Sequence, residues 1–108
     1  MKIIKGVLEK ELQNSLRMQD QYEKALADLP RGALVQKFVK GHQYYYLMTR
    51  EGSKVRFEYK GKLFAAEIKH FDEVKKDRIK YRKLLGEVKK RIAFLRRTLK
   101  GKELRAAS

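Results

Sequence analysis

The stretch from Leu29 to Lys62, LPRGALVQKFVKGHQYYYLMTREGSKVRFEYKGK, decides the fold. Pro30 disfavours helical backbone at Leu29, so a helix arriving from the N-terminal side ends there. Gly32 then releases the chain. Three runs rich in aromatic and β-branched residues follow, near residues 33–40, 43–50 and 53–60, with Gly41 and Gly52 marking the turns between them. The pattern predicts a three-stranded antiparallel meander. Phe38, Tyr44, Tyr45, Tyr46, Phe57 and Tyr59 all fall within 22 residues of it. With Glu51-Gly52 as a two-residue hairpin loop, Met48 pairs with Val55, Tyr46 with Phe57 and Tyr44 with Tyr59. That register gathers Tyr44, Tyr46, Met48, Val55, Phe57 and Tyr59 on one face, which reads as the core side. Tyr45, Leu47, Thr49, Lys54, Arg56 and Glu58 take the other face. A one-residue slip would exchange the two. The pattern leaves the register of the first strand, around Lys40-Gly41-His42, open.

Outward from the meander, both flanks read as helices. Residues 3–28 carry an apolar stripe of Ile4, Leu8, Leu12, Leu16, Tyr22 and Leu26 that reaches Leu29, interrupted by Ser15 and Gln19. Residues 64–100 carry a longer seam, alternating three and four: Phe71, Val74, Arg78, Tyr81, Leu85, Val88, Ile92, Leu95 and Leu99. Arg78 alone breaks it, either to pair with an acid of the first helix or to set the register. A seam held over four heptads is a coiled-coil signature. Gly86 costs about 1 kcal/mol relative to alanine inside a helix and suggests a close backbone approach. Gly101 is expected to end the helix, leaving residues 101–108 as a frayed tail. The expectation is one α+β domain over residues 1–108: long helix, three-stranded antiparallel meander, long coiled-coil-like helix.

Composition narrows the function classes. The chain holds 28 basic and 13 acidic residues, a formal net charge of +15. Residues 1–29 are balanced, residues 30–62 carry +6 and residues 63–108 carry +9. So skewed a distribution points to an anionic partner, with solubility as the plainer explanation. Absence of cysteine excludes disulfides, thiolate metal sites and cysteine nucleophiles, and fits a reducing, cytoplasmic setting. The opening MKIIKGVLEKEL reads as neither signal peptide nor membrane span, so no membrane insertion is expected. No phosphate-cradling glycine loop, nucleophile elbow or zinc spacing is present. His42 and His70 stand without a second ligand at metal spacing, although Asp72 and Glu73 follow His70. No enzyme activity, cofactor, metal or small-molecule substrate is expected.

A resemblance runs over roughly residues 29–100. Leu29-Pro30-Arg31-Gly32, Lys40-Gly41, Tyr44-Tyr45-Tyr46-Leu47, Arg50-Glu51-Gly52, Lys54-Val55 and Tyr59 resemble a family of small uncharacterised prokaryotic proteins. The family implies a sheet followed by a long helix and carries no established activity. In pattern alone, the glycine-turned meander is also similar to the three-stranded DNA-binding domain at the N-terminus of many tyrosine recombinases. Within these 108 residues there is no recombinase catalytic segment.

Two candidate binding surfaces follow. With Leu85 at heptad position a, Lys75, Arg82, Lys89 and Arg96 fall at e, and Lys76, Lys83, Lys90 and Arg97 at f. This double row contains no acid and runs for about 33 Å at ~1.5 Å per residue. Repeated point charges suit a phosphate backbone. A solvated coiled-coil flank paired to acids of a partner helix is the competing reading. The first helix offers Glu9, Glu11, Asp20, Glu23 and Asp28, too few to neutralise both rows. On the sheet, Tyr45 with Lys54, Arg56 and nearby Arg50 would let a ring stack on a base while the charges hold phosphates. The reading is therefore a nucleic-acid-binding protein of low sequence specificity, with DNA or RNA as partner. The alternative is a coiled-coil interaction module, a homodimer joined through Val74, Tyr81, Leu85, Val88, Ile92 and Leu95. A peripheral membrane role ranks last, because the seam is a narrow stripe.

Overall fold

A computed structural model of the chain describes residues 2–107, with side chains described for residues 4–101. The element order is α1 (Lys2–Asp28), β1 (Ala33–Val39), β2 (His42–Glu51), β3 (Lys54–Gly61) and α2 (Ala65–Ala107), the α+β arrangement the sequence predicts. The chain comprises two compact units. One joins α1 to α2 from Ile79 onward, and the other holds Leu29–Arg78.

In the helical unit the ring of Tyr22 lies 6.3 Å from that of Tyr81. Run parallel, α1 would have only the six residues after Tyr22 to cover the rest of the seam. Run antiparallel, it brings Ser15 opposite Val88, Leu8 opposite Leu95 and Ile4 opposite Leu99. The burial agrees: Val88, Ile92, Leu95 and Leu99 are all buried, and Ser15 is the most deeply buried residue described. Each of the four apolar side chains contributes about 1.5–3 kcal/mol by leaving water. The a and d positions read from the sequence are thus the buried ones. Ser15 does not weaken the stripe; it is a small residue buried within the helical unit.

Two glycine expectations are corrected here. A Cβ built on Gly86 meets nothing within 4 Å, so no neighbouring backbone explains it. Gly101 does not end α2, which continues through it to Ala107. A left-handed glycine is the usual helix stop, and Gly101 is not in that conformation. Of the expected tail, Ser108 lies outside the described residues.

In the second unit the strands lie in the order β1-β2-β3, all antiparallel. Val39 pairs with His42, so Lys40-Gly41 is a two-residue loop. Both residues have positive φ, 50° and 79°, the signature of a type I′ turn. Glu51 pairs with Lys54, which makes Gly52-Ser53 the second loop in place of Glu51-Gly52. Gly52 has φ +62° and Ser53 is not left-handed, the type II′ pattern with glycine at the first central position. The expected β2–β3 register is therefore displaced by two: Arg50 pairs with Val55, Met48 with Phe57 and Tyr46 with Tyr59. An even displacement leaves each residue on its expected face. Beyond Tyr46 the pairing jumps to Tyr45 with Gly61, a bulge that accommodates Lys60.

What changes is which face points inward. Tyr45 is only 7% exposed, whereas Phe57 and Tyr59 are 56% and 58% exposed. The face expected to be core is the open one. The other face carries buried Tyr45 with half-buried Leu34, Leu47 and Thr49, and Phe38 exposed on β1, while Val35, Tyr44 and Tyr46 on the more open face are half-buried. Leu63 and Ile68, flanking the start of α2, line a cleft of about 420 Å³ together with Tyr45 and Phe38. Gly32 lies against the same face, where an added Cβ would stand 2.9 Å from Thr49 Cγ2 and 3.0 Å from Leu47 Cδ1. The start of α2 is fixed by Glu67, whose carboxylate accepts a hydrogen bond from the Phe64 N–H at 3.3 Å while its own N–H donates to the Phe64 carbonyl at 3.0 Å. This reciprocal pair satisfies free donors of the first turn, and the carboxylate suits the positive end of the helix dipole. Among the described residues Arg78 pairs with no acid, so the first of its two expected roles is not seen. Its guanidinium donates to the carbonyls of Pro30 and Gly32.

Candidate nucleic-acid interface

The helical part of the interface follows from the heptad frame. Turning Val88, Ile92 and Leu95 inward turns positions e and f outward, and Arg82, Lys83, Lys89, Lys90, Arg96 and Arg97 are all exposed on the helical unit. Lys75 and Lys76 occupy the equivalent positions of α2 in the sheet unit and are exposed too. Among the described residues none of these eight enters an ion pair; the pairs present are Lys24–Asp20, Arg56–Glu51 and Lys60–Glu58. Among the described residues no acid of α1 forms an ion pair with the row. Asp20 instead pairs along its own helix with Lys24 at 2.9 Å, and Glu23 accepts a hydrogen bond from Gln19. From Arg82 to Arg97 the row extends about 22 Å. A duplex presents one phosphate charge per ~1.7 Å of axis, so phosphates are plentiful along that length.

The interface expected for a second copy is occupied within the chain. Val74, Val88, Ile92 and Leu95 are buried, and Tyr81 and Leu85 are half-buried. From Ile79 onward α2 shares the helical unit with α1, whose Tyr22 ring lies against that of Tyr81.

The sheet part is rearranged. Tyr45, expected as the exposed stacking ring, is buried, and its hydroxyl lies 3.5 Å from Gln43 Oε1 as donor. Lys54 and Arg56 lie opposite Glu51 and Thr49, on Tyr45's side of the sheet. Both are exposed, and Arg56 is held at 3.6 Å by Glu51. Arg50 sits on the opposite side, paired with Val55.

That opposite side is made of alternate residues of all three strands: Val35 and Lys37; Tyr44, Tyr46, Met48 and Arg50; Val55, Phe57 and Tyr59. Four rings gather on it. Tyr59 lies 5.3 Å from Tyr46 and 6.3 Å from Tyr44, centroid to centroid, and Phe57 follows along β3. Lys37 Nζ stands 5.2 Å above the Tyr46 ring, in cation–π range. Sequence reasoning found these residues but assigned them to the core. A signal for the other choice was present: the residues of this face include no acid, whereas Glu51 and Glu58 both fall on Tyr45's side.

His42 stacks edge-on to Tyr44 and His70 to Phe71, and among the described residues no three His, Cys, Asp or Glu side chains gather as a metal site. No described helix is long and apolar enough to cross a membrane. Comparison with protein-family models, with curated proteins and with solved structures finds no match to this chain.

Proposed function

We propose that this chain binds nucleic acid with low sequence specificity. The observation that carries the reading is the double basic row of α2, exposed, free of acids and without ion pairs among the described residues. Lysine and arginine at heptad spacing present charge without the fixed amide geometry that discriminates bases, so the row grips phosphates and reads no sequence. The skew of +9 over residues 63–108 strengthens the long-range attraction that brings a polyanion to it. The alternative, self-association through the α2 seam, draws no support from a seam already buried within one chain. The test is fluorescence anisotropy with duplex and single-stranded oligonucleotides of unrelated sequence across a salt series. Binding should be similar across sequences, with log K falling linearly against log salt and a slope reaching about −5 if all six residues from Arg82 to Arg97 engage a duplex. Absence of binding at low salt refutes the proposal.

A further inference from the structure

We infer that the open aromatic face of the sheet is a stacking platform for the unpaired bases of single-stranded nucleic acid. The inference rests on the nucleic-acid reading above, and it assigns the sheet unit a ligand chemistry distinct from the phosphate row on the helix.

On this face Phe57, Tyr59 and Val55 are exposed beside half-buried Tyr44 and Tyr46, whereas Tyr45 on the other face is buried. An exposed apolar patch of this kind marks an interaction surface. Its chemistry selects the occupant. The rings are Tyr44, Tyr46, Phe57 and Tyr59, and the charged residues among them are Lys37 and Arg50, with no acid on the face. The core of a protein–protein interface is depleted in lysine. Here Lys37 sits over a ring, where a phosphate entering beside a stacked base would meet the ammonium. Rings backed by cations and free of acids are what a single strand requires, because every base has a π-face and every linkage a negative charge. A duplex keeps its bases stacked on one another, so it gains from the basic row of α2 and little from these rings. Phe57 has no polar atom and the tyrosines offer only hydroxyls, so recognition by this face is sequence-tolerant as well.

The experiment uses oligo(dT), oligo(U) and a duplex of matched length, with the wild type, the double variant Phe57→Ala/Tyr59→Ala and the double variant Lys83→Glu/Lys90→Glu. The first variant should lose about tenfold or more in single-strand affinity and nearly nothing for duplex, since each stacked base is worth ~1–3 kcal/mol. Lys83→Glu/Lys90→Glu should weaken both. Phe57 and Tyr59 are more than half exposed, so their truncation leaves the core intact, which circular dichroism verifies. The chain has no tryptophan, so Phe57→Trp supplies a single reporter whose fluorescence should be quenched by oligo(dT) and oligo(U) and not by duplex. Equal single-strand affinity in wild type and Phe57→Ala/Tyr59→Ala, with no quenching of the Phe57→Trp reporter, overturns the platform while the basic-row reading stands. Dissociation of a wild-type dimer by Phe57→Ala/Tyr59→Ala without change in binding also overturns it, and makes the face a contact between copies.

Discussion

Arg78 reaches the carbonyl of Pro30 with one guanidinium nitrogen and that of Gly32 with another. It is the one charged residue in an otherwise apolar seam, and the bonds join the first turns of α2 to the segment that leads into β1. Carbonyls at a proline-glycine bend have no ladder partner, and a planar fork satisfies two of them at once. Arg78→Leu would complete the seam on paper. It is expected to destabilise by about 1.5–3 kcal/mol, because hydrogen bonds from a charged donor are lost. Arg78→Lys should recover only part of this. Chemical denaturation of both variants measures it.

Gly32 is expected to tolerate no side chain. Its φ of +100° disfavours every L-residue, and a Cβ would lie 2.9 Å from Thr49 Cγ2. Gly32→Ala should cost about 1–3 kcal/mol. Thr49→Ser in the same chain should return only the part due to Thr49 Cγ2, because Leu47 Cδ1 at 3.0 Å and the positive φ remain.

Ser15 presents the opposite case. It is 1% exposed, and its hydroxyl finds no hydrogen-bond partner among the described residues. A buried, unsatisfied hydroxyl costs free energy that alanine would not. Ser15→Ala should therefore raise stability by roughly 1 kcal/mol or more, with a small gain from helix propensity. Ser15→Leu should lower it, because a site only 1% exposed must be overpacked to take the added carbons.

Gly86 lies exposed in α2 with open space where a Cβ would go. Gly86→Ala is expected to stabilise by about 1 kcal/mol, read as an increase in the thermal midpoint. A smaller gain follows at Lys40, which holds φ 50° in the first hairpin loop. Lys40→Asn gives that type I′ turn its preferred Asn-Gly pair, and somewhat under about 1 kcal/mol is expected.

Much of the fold was legible because it rests on periodicity. The heptad frame that buries Val88, Ile92 and Leu95 also exposes Lys83, Lys90 and Arg97, so the buried seam and the candidate row were readable together. The inward face of the sheet was not. Tyr44-Tyr45-Tyr46 sends rings to both sides, and counting apolar residues favours the side that stays open. The outcome depends on the covering elements, and Leu63, Ile68 and Gly32 all meet the Tyr45 side. The two-residue displacement of β3 arises from turn chemistry: a glycine at the first central position of a type II′ loop shifts the loop from Glu51-Gly52 to Gly52-Ser53. The partners of Arg78 were hidden for another reason. They are backbone carbonyls, which charge patterns along a sequence do not reveal.

In the proposed function the outer row of α2 grips a phosphate backbone. The most direct measurement is the salt slope of duplex binding for wild type and for Lys83→Glu/Lys90→Glu. If the row makes the contacts, the variant binds all sequences more weakly and its slope shrinks by about one for each lost phosphate contact, close to two in total. An unchanged slope and affinity in that variant would show that the row does not hold the phosphates.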